Sequence, residues 1–272
     1  MIRLILTPLL TSILFFNPAL ANEVNISGST SVARVMDVLA EDFHKNHPET
    51  YIAVQGVGST AGITLLSKGV TDVGMSSRYL TESEQDESLT VIPLAFDGLA
   101  VVVNKSNPID NISRKSLYDI YKGVINNWKT VGGSNQKIAV VTREVSSGSR
   151  YSFESLLGLT KIVNGRQVSS ISPENLVVNS NSMVKTLVSH NKQAIGFIST
   201  GSVDRSIKAV KFEGVVANSQ TIANHKYVLS RPFLVLYKDS MLDQQAQSFI
   251  KYLQGAKART LIKEYGYIPI SQ

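Results

Sequence analysis

The sequence predicts an α/β fold, and three observations support that prediction. Short apolar runs of β-like composition alternate with segments whose apolar residues recur at helical spacing. Loops that combine glycine with Ser and Thr stand at the junctions where a predicted strand is followed by a predicted helix. The 272-residue chain is also long enough for one large domain or for two lobes with separate cores.

The first 21 residues have the organisation of a cleaved signal peptide. Arg3 opens a short positive region, residues 4–16 form an apolar run, and Ala19-Leu20-Ala21 supplies an A-x-A cleavage site. The alternative is an anchoring transmembrane helix, but the run is shorter than the ~20 residues that a span requires. We therefore predict cleavage after Ala21 and export of a free protein.

The composition excludes several kinds of chemistry. The chain has no cysteine, so a lipid-anchored cysteine, a disulfide and a thiol catalyst are all excluded. It carries 27 Lys and Arg against 21 Asp and Glu, a net charge of +6 that attracts anions without naming one. The basic residues are scattered, without the basic blocks or interleaved aromatics of nucleic-acid surfaces. We expect no nucleic-acid partner.

Apolar periodicity places the secondary structure along the exported chain. The β-like runs predict strands at 24–27, 51–55, 91–95, 99–104, 138–142, 176–178, 194–198 and 229–237, and a run of small residues lies at 70–75. Helical spacing predicts helices at 31–46, 61–68, 113–121, 149–157, 182–189 and 243–265. The alternation of the two is typical of α/β folds.

Three loops combine glycine with small hydroxyl residues at predicted helix starts: 28–31, 58–62 and 146–149. Such a loop presents bare backbone N–H groups and hydroxyl donors at the positive end of a helix dipole, where an oxyanion binds well. Ser and Thr are also ordinary N-cap residues, so one such loop is weak evidence. Three of them, with Arg143 just ahead of the third, predict a receptor for a small anion. In open α/β sheets, ligands bind at the carboxyl ends of strands, which is where all three loops lie.

These loops and other segments, in the same order, resemble the periplasmic phosphate-binding proteins that feed Pst-type ABC importers. The matching segments are ISGSTS at 26–31, QGVGSTAG at 55–62, DVGMSSR at 72–78, DGLAVVVN at 97–104, the region of Trp128, REVSSGSR at 143–150, AIGF at 194–197 and SRPF at 230–233. The resemblance covers nearly the whole exported chain.

The resemblance implies a type II periplasmic-binding-protein fold, in which two α/β lobes joined by two hinge strands close over one dehydrated phosphate. We expect residues 22–98 and 232–272 to form the first lobe and residues 99–231 the second. The implied function is non-catalytic. A monomeric receptor, without cofactor or metal, would bind inorganic phosphate in the periplasm and deliver it to the membrane permease of an ABC importer.

The resemblance also implies a set of phosphate-binding residues, which supply hydroxyl and backbone N–H donors and one guanidinium. They are Thr30, Ser31, Ser59, Ser77, Arg143, Ser147, Gly148 and Ser149. Ser77 stands where the well-known branch of the family has an Asp that accepts a hydrogen bond from protonated phosphate and so rejects sulfate, which has no proton to donate. A hydroxyl both donates and accepts, so we expect Ser77 to bind protonated phosphate while repelling a fully ionised anion less.

Three other functions stay open beside phosphate reception. Sulfate or molybdate is an alternative ligand, and a secreted phosphate-ester hydrolase is an alternative class. A related receptor for surface attachment or phosphate signalling is a third possibility. We expect no metal site at His44 and His47, because no further ligand stands at a recognisable spacing. We expect no nucleophile at Ser147, because there is no G-x-S-x-G elbow and no evident His-Asp pair.

Overall fold

The computed structural model describes residues 22–164 and 166–270. Its strands are β1 (Asn22–Gly28), β2 (Thr50–Gly56), β3 (Val73–Ser76), β4 (Thr90–Val103), β5 (Asn111–Ile112), β6 (Ala139–Arg143), β7 (Thr160–Val163), β8 (Arg166–Ser169), β9 (Leu176–Val178), β10 (Ala194–Ser199), β11 (Lys208–Ala209), β12 (Lys211–Phe212), β13 (Ser230–Tyr237) and β14 (Ile268–Pro269). Its helices are α1 (Thr30–His44), α2 (Ser59–Ser67), α3 (Arg114–Tyr121), α4 (Gly148–Leu157), α5 (Asn181–His190), α6 (Ser219–Ala223), α7 (Gln244–Leu253) and α8 (Ala256–Glu264).

One hydrogen-bonded path of strands runs through the molecule in the order β2-β1-β3-β13-β4-β10-β6-β9. At one end β1 lies parallel to β2 and β3, and at the other end β6 lies parallel to β10 and β9. In the middle, β4 pairs antiparallel with both β13 and β10. Helices follow the parallel strands at both ends, which confirms the α/β fold predicted from the alternation.

The strand β4 is longer than the sequence predicts. The runs at 91–95 and 99–104 were expected to be separate strands, but the structure joins them through Asp97 and Gly98 into one strand of 14 residues. Asp97 is fully buried and pairs with Arg231 on β13, so it continues the ladder instead of starting a turn. A Cβ atom on Gly98 would lie 2.7 Å from Ile222 Cδ1, so a larger residue there would require the Ile222 side chain to move.

The C-terminal helical segment is divided where the sequence predicts one helix at 243–265. That prediction is wrong: α7 ends at Leu253 and α8 begins at Ala256. Gly255 stands between them, and its backbone N–H donates to Tyr252 O at 2.9 Å. Because glycine is costly in a helix interior, the chain turns at this residue and both short helices keep an apolar face on the core.

The apolar core is divided in two along the sheet. Side chains of α1, α7 and α8 pack on one face of β1, β3 and β13, and a smaller cluster under α2 covers the other face. Beyond Asp97, alternate residues of β4 belong to two further clusters, one beneath α3 and α4 and one beneath α5. We call the elements around the first pair of clusters the first lobe and those around the second pair the second lobe.

The chain passes between the two lobes within β4 and at the start of β13. Ala95 belongs to the first core and Leu99 to the second, while Leu229 belongs to the second core and Phe233 to the first. The boundaries predicted from the sequence, after 98 and after 231, fall within these two crossings and stay a prediction. The predicted signal peptide, at 1–21, lies outside the described residues. None of the described helices has the length and hydropathy needed to cross a membrane.

The first core supports the helix whose N-terminus enters the site, so we expect its stability to depend on Leu39. This side chain is fully buried in α1, and Leu39→Ala should reduce the free energy of unfolding by about 2–5 kcal/mol. The control is Leu176→Ala, the same deletion at a side chain that is 49% exposed, where we expect a much smaller loss. Urea unfolding of both variants measures the difference, and equal losses would contradict it.

Candidate functional site

The N-termini of three helices converge where the lobes meet. The helices α1 and α2 begin in the first lobe and α4 begins in the second. Ser31 Oγ, in the first turn of α1, lies 3.2 Å from Ser149 Oγ in the first turn of α4. The backbone N–H of Thr60, in α2, donates to Ser146 O, just before α4, at 3.1 Å. The positive ends of three helix dipoles therefore meet at one place.

Local sequence starts each of these helices. Ser29 caps α1, since its Oγ accepts from the backbone N–H groups of Ser31 and Val32. Ser147 caps α4 in the same way, accepting from the N–H of Arg150 at 3.3 Å. The helix α2 follows Gly58 and has no side-chain cap. The predicted binding residue Ser147 thus uses its oxygen on its own helix.

Two glycines let the loops of the opposing lobes touch. Gly58 has a φ of 96°, and a Cβ atom there would lie 2.5 Å from Ser146 Oγ. A Cβ atom on Gly148 would overlap Ser59 Oγ and would lie 2.6 Å from Ser77 Oγ. Any side chain at either position would hold the lobes apart, so these glycines are required for the close approach.

Five buried serine hydroxyls fill the meeting point. We call this set the hydroxyl cluster, and its members are Ser29, Ser31, Ser59, Ser77 and Ser149. Ser29 Oγ donates to Ser77 Oγ at 2.8 Å, and the backbone N–H of Ser77 donates to Ser59 Oγ at 3.0 Å. Each hydroxyl both donates and accepts, so the cluster is able to turn several O–H donors toward one anion.

Arg143 supplies a buried cation beside the cluster. It ends β6 and is 1% exposed; its Nε and Nη2 donate to the Glu144 carboxylate, at 2.8 and 2.9 Å. Nη2 also donates to Thr30 Oγ1 of the first lobe at 3.0 Å. Its Nη1 is buried without a hydrogen-bond partner among the described residues. A buried donor on a charged group is costly to leave unsatisfied, so Nη1 is suited to an anionic acceptor.

A second buried cation, Arg231, was not among the residues predicted for the site. Its side chain is 2% exposed, and its Nε and Nη2 donate to Asp97 Oδ2 at 3.2 and 2.9 Å. The remaining donors reach Ser31, Ser77 and Ser149 of the hydroxyl cluster. The segment SRPF is part of the family resemblance, but Arg231 lies at the start of a strand rather than of a helix, so no helix-start pattern marks it in the sequence.

Burial shifts the pKa values of Asp97 and Arg231 in opposite directions. Desolvation raises the pKa of Asp97, while Arg231 and the hydroxyls of Thr200 and Ser199 oppose the rise. Desolvation also lowers the pKa of Arg231, and the Asp97 carboxylate opposes that change. Each charge is therefore kept ionised mainly by the other.

The structure brings together most of the residues predicted for the site. Ser31, Ser59, Ser77 and Ser149 share the hydroxyl cluster, Thr30 contacts Arg143, and Gly148 lies against the cluster. Arg78, the last residue of the matching segment 72–78, forms an ion pair with Glu84 at 2.6 Å.

The histidines at the end of α1 make other contacts. His44 Nδ1 lies 3.0 Å from Thr50 O, and His47 Nδ1 lies 3.6 Å from Glu49 Oε1. Within the described part of the chain, no group of three or more His, Cys, Asp or Glu side chains is arranged to hold a metal ion.

Comparisons with known proteins agree with this architecture. A family model described as a PBP superfamily domain matches residues 17–257. The crystal structure of an ABC-type phosphate transport receptor from Vibrio cholerae is 63% identical, with a TM-score of 0.76, over 92% of this chain and 100% of that one. A putative phosphate ABC transporter substrate-binding protein with bound phosphate, from Clostridium perfringens, is 36% identical with a TM-score of 0.86, again over 92% and 100% of the two chains.

A curated relative, the phosphate-binding protein PstS of Borreliella burgdorferi, is 28% identical over 91% of this chain and 90% of its own. The two lobes, the paired strands between them and the buried donors at their junction together define a solute-binding protein of the type II periplasmic fold. The chain belongs to the PBP superfamily, and within it to the family of the phosphate receptors of ABC transporters.

Proposed function

We propose that this protein binds one inorganic phosphate ion between its lobes and delivers it to the membrane permease of an ABC importer. The observation that carries the proposal is the buried Nη1 of Arg143, unpartnered within the described residues and beside buried hydroxyls and helix N-termini. Such a place stabilises a desolvated tetrahedral oxyanion. The relatives' names make phosphate the leading ligand.

The proposed ligands come from both lobes. Thr30, Ser31, Ser59 and Ser77 would contact phosphate from the first lobe, with hydroxyl and backbone N–H donors. Arg143, Gly148 and Ser149 would contact it from the second. Ser147 would contribute its backbone, because its Oγ already caps α4. Glu144 would hold the Arg143 guanidinium in place by its two short hydrogen bonds, at 2.8 and 2.9 Å.

The protein is a receptor and not an enzyme, as its phosphate-receptor relatives are. Hydrolysis of a phosphate ester requires an activated nucleophile or a metal-bound water. Ser147 Oγ accepts a hydrogen bond from the backbone N–H of Arg150, so it serves as a helix cap.

We further propose that the protein works outside the cytoplasm as a monomer, in the periplasm, after cleavage of the signal peptide behind Ala21. Receptors of this kind meet their ligand outside the cytoplasmic membrane and pass it to the permease there. The absence of cysteine suits an exported protein that is held by neither a lipid anchor nor a disulfide.

Calorimetric titration of the exported chain, residues 22–272, tests the ligand and the class. We expect one phosphate per protein, weaker binding of sulfate and molybdate, and no release of phosphate from an aryl phosphate ester over hours. Tighter binding of sulfate or molybdate would make another oxyanion the ligand. Steady release of phosphate from the ester would instead identify a hydrolase.

Removing the Arg143 guanidinium should weaken phosphate binding strongly. Arg143→Ala leaves a desolvated anion without a main cationic partner, and we expect a loss of about 2–5 kcal/mol in binding free energy. Arg143→Lys keeps the charge but not the forked geometry, so its loss should be smaller. The control is Arg205→Ala at an exposed arginine, with affinity measured by calorimetry. Wild-type affinity in Arg143→Ala would exclude the assignment.

Phosphate should also draw the lobes together. The ligand would bind to donors of both lobes, so it must favour the closed arrangement, in which Thr30 contacts Arg143 and Ser31 contacts Ser149. Small-angle scattering should give a smaller radius of gyration with phosphate than without it, and the melting temperature should rise. Arg143→Ala at the same phosphate concentration serves as the control. An unchanged radius in the wild type would contradict closure.

A further inference from the structure

The buried ion pair between Asp97 and Arg231 joins the two strands that connect the lobes. Asp97 lies on β4 and Arg231 lies directly opposite it on β13. Both side chains are buried, with Asp97 fully inaccessible and Arg231 2% exposed. The pair therefore lies on the two strands that connect the lobes and also beside the candidate anion site.

Arg231 is aimed at the hydroxyl cluster from this position. Its Nη1 donates to Ser149 Oγ at 2.6 Å and to Ser77 Oγ at 3.1 Å. Its Nη2 donates to Ser31 Oγ at 3.0 Å. The three hydroxyls belong to both lobes, and all three are in the proposed phosphate site. Arg231 Nη1 therefore lies directly beside two hydroxyls of the proposed phosphate site.

The Asp97 carboxylate fixes this orientation. Its Oδ1 accepts three hydrogen bonds from the end of β10 and the turn after it, namely from Ser199 Oγ, Thr200 N and Thr200 Oγ1, at 2.9 to 3.1 Å. Its Oδ2 accepts from Nε and Nη2 of Arg231. Ser199 and Thr200 thereby hold the Asp97 carboxylate in place, and the carboxylate in turn orients Nη1 of Arg231 toward the hydroxyl cluster.

Fold stability is a poor explanation for such a pair. The desolvation of two buried charges often cancels their attraction, and well-packed apolar residues of similar volume are commonly as stable. Buried charges directed at a cleft are a common feature of functional sites. The contacts of Arg231 with cluster members from both lobes indicate a role in ligand binding.

No acidic side chain belongs to the hydroxyl cluster, and the two cations beside the cluster are each paired with a carboxylate. Arg143 is paired with Glu144 and Arg231 with Asp97, so each cation has one carboxylate partner. Position 77, inside the hydroxyl cluster, is a serine with a neutral hydroxyl. A bound anion therefore meets two guanidinium groups and no facing negative charge.

We propose that Arg231, positioned by Asp97, is a second cationic ligand of the anion and makes this site one for a doubly charged tetrahedral anion. This proposal rests on the proposed phosphate function and adds the charge state of the ligand and the residue that selects it. Arg231 touches the ligand, whereas Asp97 is a positioning residue that acts through Arg231.

Two variants separate ligand binding from structural support. In Arg231→Gln with Asp97→Asn, both charges are removed together, so no uncompensated buried charge remains. We expect this double variant to lose roughly 100-fold in phosphate affinity. Asp97→Asn alone keeps the Arg231 charge. Its phosphate affinity should fall, because Arg231 loses the carboxylate that orients it, but by less than in the double variant, which also removes the Arg231 charge.

A structural role for the pair predicts a different pattern. The double variant, once folded, would then bind phosphate as the wild type does, and that result would overturn the proposal. If the double variant does not fold, Arg231→Lys decides the matter. The lysine keeps the ion pair with Asp97 but does not reach as far as Ser149, so phosphate affinity should fall clearly. The phosphate affinity of the control Arg205→Ala should equal that of the wild type. Wild-type affinity in Arg231→Lys would also overturn the proposal.

The pH profile tests the charge of the bound anion. Phosphate affinity should rise between about pH 6 and pH 8, the range in which phosphate takes up its second negative charge. The charged or titratable groups that face Arg231 are Asp97, Arg143 and Tyr267, and burial raises the pKa of Tyr267 to about 12.

Titration of the Asp97 carboxylate would give a similar pH dependence of phosphate affinity, and Asp97→Asn removes that carboxylate. A rise with pH that persists in this variant belongs to phosphate and supports the proposal. A flat profile, or one that disappears in Asp97→Asn, would overturn it. A wild-type protein that binds no phosphate at any pH would instead refute the proposed function, so the two failures are distinguishable.

Discussion

The structure depends on the concentration of buried positive potential at the junction of two lobes. Three helix N-termini and two guanidinium groups are held there, beyond the reach of bulk water. Such an arrangement is unfavourable unless its donors are satisfied. Glu144 and Asp97 satisfy most of the arginine donors, and the serines satisfy one another. The donor left over among the described residues, Nη1 of Arg143, is suited to an anionic acceptor.

The same constraint explains the placement of the connecting strands. The strands β4 and β13 run side by side through the junction, and the Asp97–Arg231 pair lies where the chain passes from one core to the other. A change in the angle between the lobes must act on this pair and on its contacts with Ser31 and Ser149. If the proposed site holds, ligand binding and a change in the angle between the lobes would both act on the guanidinium group of Arg231.

Much of the site follows from local chemistry, which is why it was predictable. A helix start requires a cap and exposes N–H groups, so several hydroxyl and glycine loops before apolar periodic segments indicate a candidate anion site. The loops and Arg143 were predicted in this way, and the family resemblance implied Thr30, Ser31, Ser59 and Ser149. The resemblance added Ser77, which the structure places inside the hydroxyl cluster.

The sequence by itself determined the α/β alternation, the positions of most strands and helices, and the loops that carry the donors. Periodicity and capping are properties of neighbouring residues, so they are visible in a linear chain. Tertiary structure alone decided that Asp97 and Arg231 pair, because 134 residues separate them and only the antiparallel register of β4 and β13 places them opposite each other. It also decided that β4 is continuous, since an Asp-Gly step becomes a strand interior only when its carboxylate finds a buried partner.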